Sequence, residues 1–452
     1  MVEEKYIIQG DPPDRLLEDG TAGSYLHNVL KKYKNRNPCM TAAETGESIS
    51  YKDLLENTCR LAQSFLNYGY PINTVISICS ENSIYYMYPV IAALYTGLIM
   101  APINPHYTER EFLQLYGITK PQLVFCSKKY LIKILEIKEK LPFIKKVVLI
   151  DAEEDTSTVE CMNSFISRGC GENFNIDNFR TVDFNRDEHT ALIMRTSGTT
   201  GLPKGAMITH GNLMHKFNNS RNPAYGTGLC VEPGGSVLNS SPLYHSLGCT
   251  STLDYITLGH HMVQMEKFDE KLFLASIEKY KTCSILLLSS TVVTLLKSTF
   301  IDKYDISSLI EIVSGGSPLA AEVFRAIKER LKLKHVRHGY GLTELSTIVC
   351  ITPINSTKYE SVGKLLPFVS AKVLDIETSE ALGPNQFGEI CLRGATLMKG
   401  YFENEEATKN TIDEGGWLHT GDAGYYDEHK YIYITDRIKE LIKYNSIQAR
   451  IT

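Results

Sequence analysis

The sequence predicts an α/β protein: two βαβ-type units with helices laid on parallel-rich sheets, followed by a small β-barrel. Three observations carry this. Short apolar runs alternate with longer helical patterns over the first 360 or so residues, the rhythm of strand–helix–strand crossovers. From about Ser361 strand-like runs recur at short spacing with turn signals between them, the texture of a barrel. An apolar fraction of 43% in 452 residues supplies enough material for large cores.

Taken in order, Val75 to Cys79 reads as a strand, Asn82 to Thr96 as a helix, and Leu123 to Cys126 and Val147 to Ile150 as strands. The polar, acidic stretch Asp151 to Glu188 reads as an irregular connection. Ala191 to Met194 is again a strand. Ser236 to Asn239, His261 to Met265, Ile285 to Leu288 and Ile310 to Ser314 continue the strands, with helices over Lys271 to Tyr280 and Ala320 to Leu331. Beyond Ser361, strands are predicted at Ala371 to Leu374, Gly388 to Leu392 and Tyr431 to Thr435, with turns such as Gly383-Pro384-Asn385.

Composition narrows the function. The net charge is -5 and no basic stripe appears, which argues against a nucleic-acid partner. Eleven cysteines are scattered without a CxxC pair, as in a reduced intracellular protein. No signal peptide opens the chain. The longest apolar stretch, Tyr88 to Pro102, is too short and interrupted to span a bilayer.

The chemistry is announced by Thr196-Ser197-Gly198-Thr199-Thr200-Gly201-Leu202-Pro203-Lys204-Gly205, directly after a predicted strand. Glycines let backbone N–H groups close around an anion, the hydroxyls add donors, and Lys204 adds a positive charge. The spacing is not that of GxxxxGK[ST]. Gly315-Gly316-Ser317-Pro318 offers flat backbone for a planar ring. His338-Gly339-Tyr340-Gly341-Leu342-Thr343-Glu344 offers an aromatic face, a hydroxyl and a carboxylate suited to a hard cation. Asp422, in Trp417 to Asp422, suits two ribose hydroxyls, and Asp436-Arg437-Ile438-Lys439 forms a charged junction. His210, after Ile208-Thr209, reads as a helix cap. The neighbours His260 and His261 point to opposite faces of a strand and do not converge on a metal.

In that order and number, these motifs resemble the acyl-adenylate-forming superfamily, which includes fatty acyl-CoA synthetases, 4-coumarate–CoA ligases and beetle luciferases. The resemblance runs from about Ser50 to Tyr444. It implies an AMP-binding domain over residues 1–436, of which about 361–436 is the β-rich part, and a hinge stub over 437–452. It implies ATP and Mg²⁺ as cofactors and coenzyme A as second substrate, with a carboxylate attacking the α-phosphate and a thiol displacing AMP. Lys204, Thr343, Glu344 and His245 are the implied catalytic residues, and Glu344 the Mg²⁺ ligand. Thr196 to Gly201 and Lys204 would wrap the β- and γ-phosphates. Gly315 to Pro318 and Gly339-Tyr340-Gly341 would form the adenine slot, Thr343 would touch the α-phosphate, Asp422 would hold the ribose and Arg437 the nucleotide. His245, Leu247, Ser251, Gly316, Gly341, Thr347 and Ile348 would wall the acid pocket.

Departures shape the expected substrate. Beetle luciferases carry an aromatic where this chain has Leu247 and small residues where it has Thr347 and Ile348. The expectation is therefore an apolar or fatty acid, activated and passed to coenzyme A, with a luciferase-type monooxygenase as the alternative. After Lys443, the residues Asn445 to Arg450 depart from the family pattern, and the C-terminal domain of the family is expected to be missing. That implies weak adenylation and little thioester formation, and it keeps open a catalytically deficient nucleotide- or acyl-binding protein. The resemblance implies a peroxisomal location. The ending Arg450-Ile451-Thr452 lacks the Ser-Lys-Leu type of tripeptide, which leaves the cytoplasm.

Overall fold

A computed structural model describes residues 6–13, 16–17, 19–196, 204–222, 234–317, 319–354, 356–444 and 447–450, with side chains to residue 439. Three large sheets carry the chain. A seven-stranded sheet runs in the order Lys204–Thr209, Thr190–Thr196, Ile99–Pro102, Val75–Cys79, Leu123–Cys126, Lys146–Leu149, Glu160–Cys161. Its strands are parallel except Lys204–Thr209, which returns antiparallel along Thr190–Thr196. A nine-stranded sheet has a parallel centre built from Met40–Ala42, His261–Gln264, Ser236–Asn239, Thr282–Leu288, Glu311–Gly315 and His335–Leu342. Strands Thr347–Ile351 and Lys364–Leu365 close one of its edges, antiparallel.

The third sheet is antiparallel and curls into a half-barrel. It runs Ile8–Gln9, Val369–Leu374, Gly388–Gly394, Leu418–Tyr426, Ile432–Arg437, with Ala381–Leu382 beside Val369–Leu374. The two predicted βαβ units and the β module are therefore all present.

The main core lies between the two larger sheets. Strand residues from both, such as Ile76, Met100 and Leu192 on one side and Met40, Val237 and Met262 on the other, join one apolar cluster with the intervening helices. Helix Met87–Thr96 is buried at every position, the mark of a helix with no solvent face. Helix Tyr51–Asn67 buries one stripe and starts on a capping box, in which Ser50 and Asp53 satisfy each other's backbone donors. Strand Val75–Cys79 is buried throughout, as expected for a parallel strand covered on both faces.

Several elements differ from the sequence expectation. The helix predicted from Asn82 begins only at Met87. The Asn82 side chain donates to the carbonyls of Ser241 and Met265 and accepts from the Leu243 amide, so it ties two loops together instead of starting a helix. The connection Asp151 to Glu188 contains a helix, Met162–Cys170, packed on Tyr51–Asn67. His210 does not cap its helix. Thr209 does, accepting from the Asn212 amide at 3.0 Å, while His210 is buried in the first turn. His261 bonds Thr41 Oγ1 at 2.9 Å.

Candidate active site

A cavity of about 800 Å³ opens where the three sheets meet. That size suits a nucleotide together with a small organic acid. The seven-stranded sheet contributes Thr196 and Lys204. The nine-stranded sheet contributes Gly315, Gly316, Gly339, Gly341, Thr343, Glu344, Thr347 and Ile348. The half-barrel contributes Leu418 to Gly421 and Arg437. His245 and Leu247 enter from the start of helix Ser246–Leu258. A side pocket of about 250 Å³ is lined by Gly316, Ser317, Gly339, Tyr340, Gly341, Asp422 and Arg437.

Of the predicted residues, Ser197, Gly198, Thr199, Thr200, Gly201 and Pro318 lie outside the described residues. Ser251 is buried inside helix Ser246–Leu258 and is not among the residues that line this cavity. From that helix Ser246 lines the cavity, and Thr250 touches it only through Thr347. Ser246 Oγ lies 3.0 Å from Thr343 Oγ1, and Thr250 Oγ1 lies 2.7 Å from Thr347 Oγ1.

The glycines are there for space. A Cβ on Gly341 would sit 1.7 Å from the Thr347 carbonyl oxygen, and one on Gly315 would sit 2.9 Å from the Gly339 carbonyl oxygen. The strand His335–Leu342 shifts register between Tyr340 and Gly341, a bulge against Thr347–Ile351. Such bulges re-aim side chains beside functional clefts. The turn that follows is strained. Ser346 has φ 57° and the β-branched Thr347 φ 105°, a conformation that costs on the order of 1–3 kcal/mol. The Thr250–Thr347 contact and a 2.9 Å bond from Ser346 Oγ to the Thr396 carbonyl hold it in place. The turn keeps Thr343 and Glu344 at the cavity wall.

Tyr401 is the residue that sequence reasoning missed. Its hydroxyl donates to Glu344 Oε1 at 2.7 Å, and Lys204 Nζ lies 4.8 Å from its ring centroid. One phenol thus sits between the lysine and the carboxylate. It is delivered by the segment Lys399 to Phe402, which lies along the strand Lys204–Thr209: Phe402 N donates to Gly205 O and Met207 N to Gly400 O. No local spacing signals this, because the pairing spans some two hundred positions of chain. Thr196 Oγ1, on the same wall, is buried and has no hydrogen-bond partner among the described residues. A buried hydroxyl without a partner is costly, and a phosphate oxygen in the cavity would satisfy it.

The far end is acidic and tightly held. Asp422 is 3% exposed. Its Oδ2 accepts from the Tyr340 hydroxyl at 2.5 Å, and its Oδ1 pairs with Arg437 Nε at 2.8 Å. Burial raises its pKa above the ordinary 3.8, and the Tyr340 and Arg437 donors pull it back down. His245 faces the cavity and keeps exposed surface, and partial desolvation by its surroundings lowers its pKa below 6.5. Its Nδ1 accepts from the Leu247 amide at 3.4 Å, a long cap bond. Leu247, Leu286, Leu288 and Ile348 give this part of the cavity an aliphatic wall.

The chain was compared with known proteins. A family described as AMP-binding enzyme matches residues 27–402. A luciferin 4-monooxygenase of Photuris pensylvanica is 42% identical over 450 residues, 99% of this chain and 82% of that protein. The 4-coumarate–CoA ligase CCL1 of Humulus lupulus is 33% identical over 460 residues, covering 99% and 81%. Among solved structures, a red-emitting luciferase from Phrixothrix hirtus superposes with TM-score 0.87 at 44% identity, covering 96% of this chain and 79% of that one.

Proposed function

The chain belongs to the AMP-binding enzyme family of adenylate-forming enzymes, and from that premise we propose that it activates a carboxylic acid with ATP, giving an acyl-adenylate and pyrophosphate. The observation that carries this is the meeting of Lys204, Thr343 and Glu344 in a glycine-lined cavity whose adjoining side pocket holds the Tyr340–Asp422–Arg437 group.

In this reading a carboxylate attacks the α-phosphorus, and the barrier is the repulsion between two anions. Lys204, Thr196 and the loop residues Ser197 to Gly201 take the β- and γ-phosphates. The Thr343 hydroxyl, positioned by Ser246, meets the α-phosphate. Removing one such preorganised donor typically costs about 3–4 kcal/mol in the transition state. Glu344 would hold Mg²⁺, which offsets phosphate charge when bound. Gly315, Gly316, Ser317, Pro318, Gly339, Tyr340 and Gly341 form the adenine slot. Asp422, fixed from both sides, accepts from the ribose hydroxyls. His245, Leu247, Gly316, Gly341, Thr347 and Ile348 surround the acid.

The relatives favour one fate of the adenylate. Four proteins at 42–43% identity are named luciferin 4-monooxygenase, whereas the CoA ligases stand at 33–35%. That order puts luciferase-type oxidation first and transfer to coenzyme A second, the reverse of the sequence expectation. The second reading rests on the aliphatic wall of Leu247, Leu286, Leu288 and Ile348, which suits an apolar acid better than a flat heterocycle.

ATP–pyrophosphate exchange, run with D-luciferin and a series of fatty acids, tests the common step. Exchange dependent on added acid is expected, and its absence with every acid would refute acid activation. Light with D-luciferin selects the first fate. Acyl-CoA found by mass spectrometry with fatty acids, and no light, selects the second.

A further inference from the structure

We propose that Glu389, Cys391 and His419 form a binding site for one divalent transition-metal ion of the zinc class, with a water from the cavity as fourth ligand. Glu389 and Cys391 lie two residues apart on the strand Gly388–Gly394, with a register shift between them that bends the strand. Cys391 pairs directly across from His419 on Leu418–Tyr426. The three ligand atoms lie within 4.8 Å of one another.

The separations fit one ion. Cys391 Sγ lies 3.6 Å from His419 Nδ1. A tetrahedral zinc with Zn–S of about 2.3 Å and Zn–N of about 2.05 Å places those two atoms about 3.6 Å apart. Glu389 Oε2 lies 2.9 Å from the same nitrogen, so binding needs this pair to open by about 0.5 Å to reach the tetrahedral separation. The other carboxylate oxygen, Oε1, accepts from the Gly421 amide at 3.0 Å, which leaves Oε2 for the ion.

The outer shell is also present. His419 Nε2 lies 3.6 Å from Asp413 Oδ2, and Asp413 Oδ1 accepts from the Trp417 amide at 2.9 Å. A carboxylate behind the far nitrogen of a ligating histidine fixes the ring and raises its basicity. The Cys391 side chain is fully buried, whereas Glu389 and His419 reach the large cavity. The site therefore has two anchored faces and one open to water. A sulfur–nitrogen–carboxylate set selects zinc-like ions over magnesium, which separates this site from the oxygen chemistry of Glu344.

Charge and protons balance. The ion replaces the Cys391 thiol proton, which goes to solvent, while the His419 ring keeps its proton on Nε2, towards Asp413; at least one proton leaves, with no change of oxidation state. One thiolate and one carboxylate then neutralise a dication. Burial holds the Cys391 thiol well above its ordinary range, and Lys372, which pairs across the strand from Cys391, offsets only part of this, so the thiol proton leaves only as the ion arrives. Because protons leave, binding should be at least about tenfold tighter at pH 8 than at pH 6.5.

Titration of the whole protein with Co²⁺ tests this, since Trp417 is the only tryptophan and sits next to the site. One equivalent should produce a thiolate-to-cobalt absorption band and quench the Trp417 fluorescence, and Zn²⁺ should displace it. Cys391→Ser should remove the band. Cys283→Ser, at a partly buried thiol elsewhere, should keep it. No band and no quenching in the folded wild type would overturn the proposal, as would a band that persists in Cys391→Ser.

Discussion

Tyr340→Phe isolates one hydrogen bond in the site and turns it into a pH measurement. The ring stays, so the adenine slot keeps its shape, and only the donor 2.5 Å from Asp422 Oδ2 is lost. A bond to a charged acceptor is worth about 1.5–3 kcal/mol. One pKa unit corresponds to about 1.36 kcal/mol, so the variant should raise the Asp422 pKa by about one to two units. That carboxyl is already above 3.8 because it is buried, and Arg437 is left as its remaining close donor. As pH falls through the raised value, Asp422 takes up a proton and loses its capacity to accept from a ribose. ATP affinity should therefore fall on the acid side, and in the variant that fall should begin about one to two pH units higher. Isothermal titration with ATP–Mg²⁺ from pH 5 to pH 8 reads this directly. Affinity near wild type at pH 8 with a displaced acid limb is the expected result. A limb that superposes on the wild type, or a loss equal at every pH, would refute the coupling of Tyr340 to Asp422.

Two further outcomes follow from packing. Gly341→Ala forces its Cβ into the Thr347 carbonyl, 1.7 Å away, and should cost about 1–3 kcal/mol together with most adenylation activity. Gly117→Ala, inside helix Glu109–Thr119 with nothing within 4 Å, is the matched control and should leave pyrophosphate exchange unchanged without lowering the melting temperature. Lys216→Met strands Asp254, which is 1% exposed and ion-paired to Lys216, and should destabilise by about 3–5 kcal/mol in urea unfolding. Adding Asp254→Asn should recover part of that loss, because it removes the unpaired charge.

The alternation of apolar runs was enough to read the two βαβ units, because parallel strands buried on both faces leave continuous signals such as Val75–Cys79. Strand Leu418–Tyr426, which carries Asp422, was not legible as a strand. Its two glycines resemble turn residues, yet a Cβ on Gly424 would meet the Tyr433 carbonyl oxygen at 2.1 Å. Here glycine marks close approach of neighbouring backbones and does not break the strand. The motif residues Lys204, Thr343, Glu344, Asp422 and Arg437 stand out in the sequence because each belongs to a short run of characteristic chemistry. Tyr401 could not, since its place depends on backbone pairing with a strand far away in sequence. Ser251 differs in another way: the flanking motif gives its neighbourhood, but the rotation of the helix, which buries Ser251, is not legible from the motif.

The cavity takes its walls from three separate sheets, and this makes affinity a gauge of assembly. No sheet alone holds both the lysine end and the aspartate end, so a ligand that spans them binds only when all three are in place. A ligand that binds only the assembled form stabilises it by mass action. A lesion remote from every contact, such as the stranded Asp254, would then register as weakened nucleotide binding, and saturating nucleotide would rescue it. The same variant measured with and without ligand would separate residues that meet the nucleotide from residues that keep the walls together.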